Sequence, residues 1–459
     1  MSGSVVTALR QTLGDTTVLV GNEIEARYKT DWSKSQIAEP IAVVRPRTTQ
    51  AVSQTLKVCH AHDQSVTVQG GMTGLVGASQ AADGDVVISL EFLSGVQEID
   101  VHASCMTVWA GTALQIAQEQ AADQSLYLAV DLGARGSCQV GGNIATNAGG
   151  NRVIRYGMMR EQVLGLEVVL ADGTIVNSLN KMLKNNAGYD IKQLFIGSEG
   201  TLGVVTRAVL RLHPVPAQTT TVLCALSEEA AMLRLLMQAR QTMGASLLAF
   251  EVMWPDFFAF MTKRVAGNVS PFSQPGQMAV LIEVAGGQDD LEALLGQALE
   301  NGDLTDAVIA QSGQQAAAFW RIRDSVSEFP ILFAPYASFD VSLPIDSVGR
   351  FVGTLKQQLQ DQLPISESLF FGHIGDSNLH IVVHVPTSRE AFPKEEIDAM
   401  VYELVGQYAG SVSAEHGIGT RKKKWLGQSR NPAEIEVMRT LKLALDPKQI
   451  LNRGRVIDA

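Results

Sequence analysis

The sequence predicts an α+β protein of two or three domains, and three observations carry that reading. Its 459 residues exceed what one hydrophobic core sustains. Short runs of β-branched residues alternate with helical patterns and follow no fixed repeat. Of the 41 glycines, 14 crowd into three stretches of the first half, 70–77, 133–157 and 197–203, which are too rich for plain connectors. At 46% hydrophobic and 18% charged, the chain can fill its cores and is not disordered. Its 47 acidic against 36 basic residues, a net charge of −11, argue against nucleic acid or an anionic membrane surface as partner.

No apolar run approaches the roughly 18–20 residues of a membrane span. Residues 1–10 lack the basic flank and apolar segment of a secretory signal. Cys59, Cys105, Cys138 and Cys224 lie far apart with no CxxC pair, so neither a disulfide framework nor a thiolate zinc site is expected. The expectation is a reduced, cytoplasmic protein that does not span a membrane.

In chain order, β-branched runs predict strands at 41–45, 65–68, 85–90 and 165–170. Between the first two, Val52, Leu56 and Cys59 recur at helical spacing and predict a helix over 49–62. Asp172-Gly173 between two apolar runs predicts a hairpin. His213-Pro-Val-Pro216 cannot continue a helix or a central strand and marks a domain boundary. Beyond it the pattern predicts helices at 227–245, 291–301, 319–327 and 432–445, the last stopped by Asp446-Pro447. Strands are expected at 278–284, 338–343 and 381–385. The expected domains are 1–215 (core about 38–213), an α+β domain at 216–394, and a small helical C-terminal cap at 395–459.

The glycine stretches carry the first chemical signal. Val68-Gln-Gly-Gly-Met-Thr-Gly-Leu-Val-Gly-Ala78 follows a strand and lets backbone N–H groups approach an anion. It is neither GxGxxG nor a P-loop, and taken alone it reads equally well as a multi-turn connector. Residues 132–150 pack glycines, hydroxyls and amides in a composition that suits no core element. It suits a large planar ligand with a diphosphate, with Ser137, Thr146 and Asn147 to donate or accept. Gly197-Ser-Glu-Gly-Thr-Leu-Gly203 adds a third close-approach turn.

The ordered motifs Gly136-Ser-Cys-Gln-Val-Gly-Gly-Asn-Ile-Ala-Thr-Asn-Ala-Gly-Gly150, Arg155-Tyr-Gly157, residues 186–203 and the loop at 69–78 resemble the vanillyl-alcohol-oxidase (PCMH-type) FAD-binding domain. Within that superfamily the chain is similar, from about Val43 to Val456, to the D-2-hydroxyglutarate and D-lactate dehydrogenase branch. The resemblance implies a two-part FAD-binding domain, a ferredoxin-like α+β substrate domain and the helical cap. It also implies a bound FAD, its diphosphate in the 70–77 loop and its ring between the main domains. The flavin contacts so implied are Gly70, Gly71, Met72, Thr73, Gly74, Leu75, Gly77 and Ala78 in the first loop. The second segment contributes Leu132, Gly133, Gly136, Ser137, Gly141, Gly142, Asn143, Thr146 and Asn147, joined by Glu199, Gly203, Val204 and, near the end, Asn452. No His or Cys falls between Val68 and Ser79, so the FAD is expected to be noncovalent. Cys138 reads as packing.

Four of the eight histidines, His373, His380, His384 and His416, fall within 373–416. Phe371-Gly-His-Ile-Gly-Asp-Ser-Asn-Leu-His380 predicts a hairpin that sets His373 and His380 side by side. Glu415 and His416 sit on a glycine-flanked loop. Two imidazoles and a carboxylate with an open position form the ligand set of a catalytic divalent ion, zinc first and manganese second. His384 lies about 13 Å along the strand from His380, too far to share that ion. The resemblance agrees: His-x-Gly-Asp-x-Asn-x-His resembles the branch's metal motif, and Ala-Glu-His-Gly-x-Gly its third ligand, Glu415, and catalytic base, His416. A metal-chelated 2-hydroxy acid would lose its hydroxyl proton to His416 and a hydride to FAD. Arg323 and Ser327, at i and i+4 on a helix, suit the substrate carboxylate. The resemblance implies the same two as substrate contacts, with Asn378.

The chain departs from the hydroxyglutarate enzymes at two places: Ser338 stands where they carry a Lys, and Val382 where they carry an Asn. These departures favour a monocarboxylate or more apolar D-2-hydroxy acid. In Arg421-Lys-Lys-Lys424 only Lys422 matches a family lysine, and the rest reads as a solvated face. The resemblance implies an electron-transfer flavoprotein or a quinone as electron acceptor, and a homodimer. NAD is disfavoured, since no dinucleotide fingerprint follows any strand. The competing readings are a flavin oxidase using oxygen and a non-catalytic flavin or metal carrier.

Overall fold

The computed structural model describes residues 2–33, 37–216 and 218–459, and the chain falls into two units built from interleaved segments. One gathers Met1–Gly150, Tyr156–Val215 and Glu415–Ala459; the other gathers Asn151–Arg155 and Pro216–Ala414. Both are α+β.

In the first unit the apolar runs Ala42–Val44, Val86–Ser89 and Val66–Gln69 lie side by side in parallel, with Val18–Leu19 antiparallel at the edge. The first two strands are buried throughout, as expected of parallel strands covered on both faces. A second, antiparallel sheet runs in the order Val96–Asp100, Cys105–Trp109, Val204–Arg211, Val163–Val169, Ile175–Ser178. Its last two strands meet at the Asp172-Gly173 turn, as the sequence predicts. The expected helix is Thr49–Ala61, opened by Thr48, whose hydroxyl accepts from the Ala51 N–H at 3.1 Å. Val52, Leu56 and Cys59 are fully buried. Glu167, also buried, ties that helix to the second sheet. It accepts from Thr49 Oγ1 (2.5 Å), Thr206 Oγ1 (2.9 Å) and Arg207 Nε (2.8 Å).

The terminal helix Pro432–Leu445 has the predicted bounds, set by an Asn431–Glu434 capping box and Pro432 in its first turn. Leu451 then bridges Val66, returning the chain to the parallel sheet. Buried Lys442 directs its ammonium to Asp446 Oδ2 (2.6 Å), Thr201 O (2.9 Å) and Leu451 O (2.9 Å).

The second unit is built on one antiparallel sheet. Its strand order is Leu304–Ile309, Thr219–Leu226, Met278–Ala285, Leu247–Met253, Glu367–Gly372, Asn378–His384, Tyr336–Ser342. One face carries Leu223, Ala225, Met253, Ala279, Leu281, Leu369, Phe371 and Val382, packed under Phe257, Phe319 and Phe329. Helix Gly313–Asp324 lies on this face and begins at Ser312, whose hydroxyl caps Gln315.

The helix expected over 319–327 needs correction. It ends at Asp324 and the chain tightens into a 3₁₀ turn, Ser325–Glu328. Ser327 is therefore off the helix that carries Arg323, and the i, i+4 argument for pairing them fails. The described cysteines are all free and buried. Among the described residues no helix is long and apolar enough to cross a membrane.

Candidate active site

The three glycine stretches meet in the first unit. A Cβ on Gly71 would strike the Ser137 carbonyl, so the first two loops touch backbone to backbone and only glycine fits. Met72, Asn147, Glu199 and Asn452 all hold positive φ, 57°, 49°, 52° and 42°. Such backbone persists only where its surroundings over-determine it, and here they do. Asn452 accepts the Val68 N–H (2.9 Å) and donates to the Glu199 carbonyl (2.6 Å). Asn147 accepts the Arg160 N–H (2.9 Å), and the Glu199 N–H bonds Ala145 O (2.8 Å). The buried Glu199 carboxylate accepts from Ile418 N (2.6 Å) and Gly419 N (2.8 Å), gripping the loop that carries Glu415 and His416. Burial pushes its pKa up; the two N–H bonds and Lys422 pull the other way.

The first loop is pinned through its carbonyls: Met72 O accepts from Trp32 N, and Val76 O from Thr420 N. Among the described residues none accepts from the peptide N–H groups of residues 70–77, which leaves a run of donors. The Gln139 Oε1 beside Gly70 is buried and unsatisfied. Donors in series, no charge and small side chains fit the diphosphate and ring of an FAD. The Thr146 hydroxyl bonds Gly142 O (3.1 Å) and the Asn143 amide bonds Cys138 Sγ (3.5 Å), so these two hold the segment's own shape. In the same unit Glu415 Oε1 accepts from Gly150 N at 2.8 Å. Arg421 is exposed, and its guanidinium donates to Ser33 O (2.5 Å) and Leu75 O (3.4 Å).

In the second unit, the polar end of the packed sheet face collects what the sequence singles out. His380 pairs across with Phe371 on one side and Asp340 on the other. His373 lies just past the 367–372 strand, its ring centroid 5.4 Å from that of His380. The hairpin therefore brings the two imidazoles together, with a 3₁₀ turn at Ile374–Asp376 between them. Two imidazoles on one face suit zinc or manganese as donors. His384 is on the same strand as His380, and its Nδ1 bonds Pro335 O at 2.7 Å. Asn378 is buried and donates to Asp340 Oδ1 (2.8 Å). Ser338 is exposed and directly opposite Val382.

Arg323 is buried. Its Nε donates to Glu251 Oε2 (2.8 Å), one NH₂ lies 3.0 Å from His373 Nε2, and the guanidinium stands over the Phe371 ring. Glu251 Oε1 is 2.5 Å from His373 Nδ1. Burial opposes the charge on Glu251, but His373 and Arg323 outweigh it and bring the pKa down to about 2. Beside them Glu283 takes Arg152 (2.7 Å) and the Trp320 indole N–H (2.7 Å). Glu251, Glu283 and Arg152 escaped the sequence reading. The available signal was a lone carboxylate in each of two apolar strands, Leu247–Met253 and Met278–Ala285.

The comparisons with known proteins accord with this architecture. The family model of the FAD linked oxidases, C-terminal domain, matches residues 215–456, and an FAD binding domain model matches 40–178. The D-2-hydroxyglutarate dehydrogenase of Xanthomonas citri pv. viticola is 38% identical over 445 residues, 94% of this chain and 92% of that protein. The mitochondrial D-2-hydroxyglutarate dehydrogenase of Bos taurus is 38% identical over 435 residues, 93% of this chain and 78% of that protein. Among solved structures, p-cresol methylhydroxylase with substrate bound superposes with a TM-score of 0.77 at 17% identity, over 99% of this chain and 97% of that one. An alkyldihydroxyacetonephosphate synthase gives 0.77 at 17%, over 98% and 85%. At such identities these two share the fold alone. The chain thus belongs to the FAD-linked oxidase family, with the vanillyl-alcohol-oxidase type of FAD-binding fold, and is an FAD-dependent oxidoreductase acting on CH–OH donors.

Proposed function

We propose that this enzyme oxidises a D-2-hydroxy acid to the 2-oxo acid, with a divalent cation, zinc or manganese, held by His373, His380 and Glu415. The observation that carries the reading is the His373–His380 pair, 5.4 Å apart on the polar end of a sheet face, in a chain whose relatives bear the name D-2-hydroxyglutarate dehydrogenase. Bound FAD supplies the hydride acceptor, and the cation supplies Lewis acidity toward an α-hydroxyl. His416 takes the hydroxyl proton, a transfer for which imidazole is suited near neutral pH. Arg323 binds the substrate carboxylate through its fork of donors, with Ser327, Ser338 and Asn378 as further contacts. The loops at 70–78 and 132–147, with Glu199, Gly203, Val204 and Asn452, bind and orient the cofactor without a covalent link. An electron-transfer flavoprotein or a quinone reoxidises the enzyme.

Ser338 and Val382, facing partners on adjacent strands, offer neither a cation nor an amide for a second carboxylate. The substrate is therefore a monocarboxylate or a more apolar D-2-hydroxy acid. The test is anaerobic mixing of the flavin-loaded enzyme with D- and L-2-hydroxy acids, D-lactate and D-2-hydroxyglutarate included, with and without prior chelation. Flavin absorbance should bleach with D-isomers and far more slowly after chelation. Bleaching by L-isomers alone, or at an unchanged rate after chelation, overturns the reading.

A further inference from the structure

We propose that Glu251 is a positioning residue that orients the metal ligand His373 and the substrate anchor Arg323 through one carboxylate; this rests on the function proposed above. Glu251 is fully buried near the end of strand Leu247–Met253. There the pairing of Val252 with Gly372 and Met253 with Phe371 sets it opposite His373. Its two oxygens are divided between two partners: Oε1 to His373 Nδ1 (2.5 Å) and Oε2 to Arg323 Nε (2.8 Å). A carboxylate at Nδ1 draws the ring proton to that nitrogen and leaves the lone pair on Nε2, the nitrogen a metal would take. The NH₂ of Arg323, 3.0 Å from Nε2, is donor only, so that contact requires the same tautomer.

A buried charge is costly unless paired, and here both oxygens of the carboxylate have partners, Arg323 and His373. Fixing a ligand's ring by a carboxylate on its second nitrogen is how metal-binding histidines are held and made more basic. Glu251 does this for His373. By taking Arg323 at Nε (2.8 Å), it also fixes the plane of the guanidinium beside His373.

The test measures Zn²⁺ affinity of the flavin-loaded protein by competition with a chromophoric chelator, a readout independent of turnover. Glu251→Gln keeps the volume and removes the charge. It should bind Zn²⁺ about 10–100-fold more weakly while retaining flavin. His373→Gln should abolish the site. If His373→Gln lowers affinity and Glu251→Gln does not, the assignment of Glu251 falls alone and the residue is structural. If His373→Gln changes nothing, the metal reading falls and takes this assignment with it. Should Glu251→Gln fail to fold, Glu251→Asp carries the same comparison: a loss smaller than that of His373→Gln is expected, and unchanged affinity overturns the proposal.

Discussion

Gly71 and Gly74 lie three residues apart in one loop, yet the structure sets them opposite fates. A Cβ on Gly71 would meet the Ser137 carbonyl and lie 2.8 Å from Cys138 Cα, both backbone and unable to swing aside. A Cβ on Gly74 meets only Ser79 Oγ, at 4.0 Å. Neither residue sits at positive φ, so the contrast is one of space, not of conformation. Gly71→Ala must part the two loops, at about 1–3 kcal/mol, a fall of roughly 2–6 °C in apoprotein melting. Gly74→Ala should be neutral or stabilising by about 0.4–1 kcal/mol, since alanine restricts the unfolded chain. Separating the loops should also cost the cofactor at least one charge-assisted N–H bond. FAD would then bind Gly71→Ala roughly 10–150-fold more weakly. Calorimetry of the two apoproteins and fluorescence titration of FAD into Gly71→Ala measure both quantities. Equal melting of the two variants, or a larger loss in Gly74→Ala, would refute the backbone contact and the loop arrangement built on it.

Glu167→Gln should destabilise the protein by about 2–4 kcal/mol at neutral pH, less than a fully enclosed pair because Arg207 is partly exposed. Despite burial, Arg207, Thr49 and Thr206 hold the Glu167 pKa below its ordinary 4.5. Its stabilisation is full above 4.5 and fades as pH falls through the lowered value, so melting of variant and native protein should converge in acid; divergence would contradict the ion pair. Lys442→Met leaves the buried Asp446 carboxylate without its counter-charge, held only by the Ile450 and Leu451 N–H groups, and should lose about 3–5 kcal/mol in urea unfolding, with part restored by adding Asp446→Asn. Ser338→Lys, at an exposed position, should lower KM for D-2-hydroxyglutarate about tenfold or more, read by initial rates; an unchanged KM removes Ser338 from the substrate's far end.

What the sequence made legible is what local chemistry decides. Val52, Leu56 and Cys59 declare a helix face, Asp172-Gly173 a turn, and Asp446-Pro447 the end of the last helix. The glycine stretches and the His373–His380 hairpin stand out because no core element wants those residues. What stayed hidden depends on which distant segments meet. Asn452 reaches Val68 across 384 positions, and Glu251 finds His373 across 122; no periodicity encodes either. Ser327 misled for a local reason: four residues from Arg323 meant one face only if the helix continued, and Ser325 closes it.

The interleaving of the two units has a consequence for how the chain is made. Pro216–Ala414 leaves the ribosome before the last segment of the other unit. A nascent polypeptide halted short of Glu415 already owns its whole seven-stranded sheet. It still lacks Leu451 against Val66 and Asn452 against Glu199, the clasps behind the glycine stretches. Flavin capture is thereby reserved for a nearly finished product, and severing the gene at codon 215 should yield no yellow fragment, whichever half is purified.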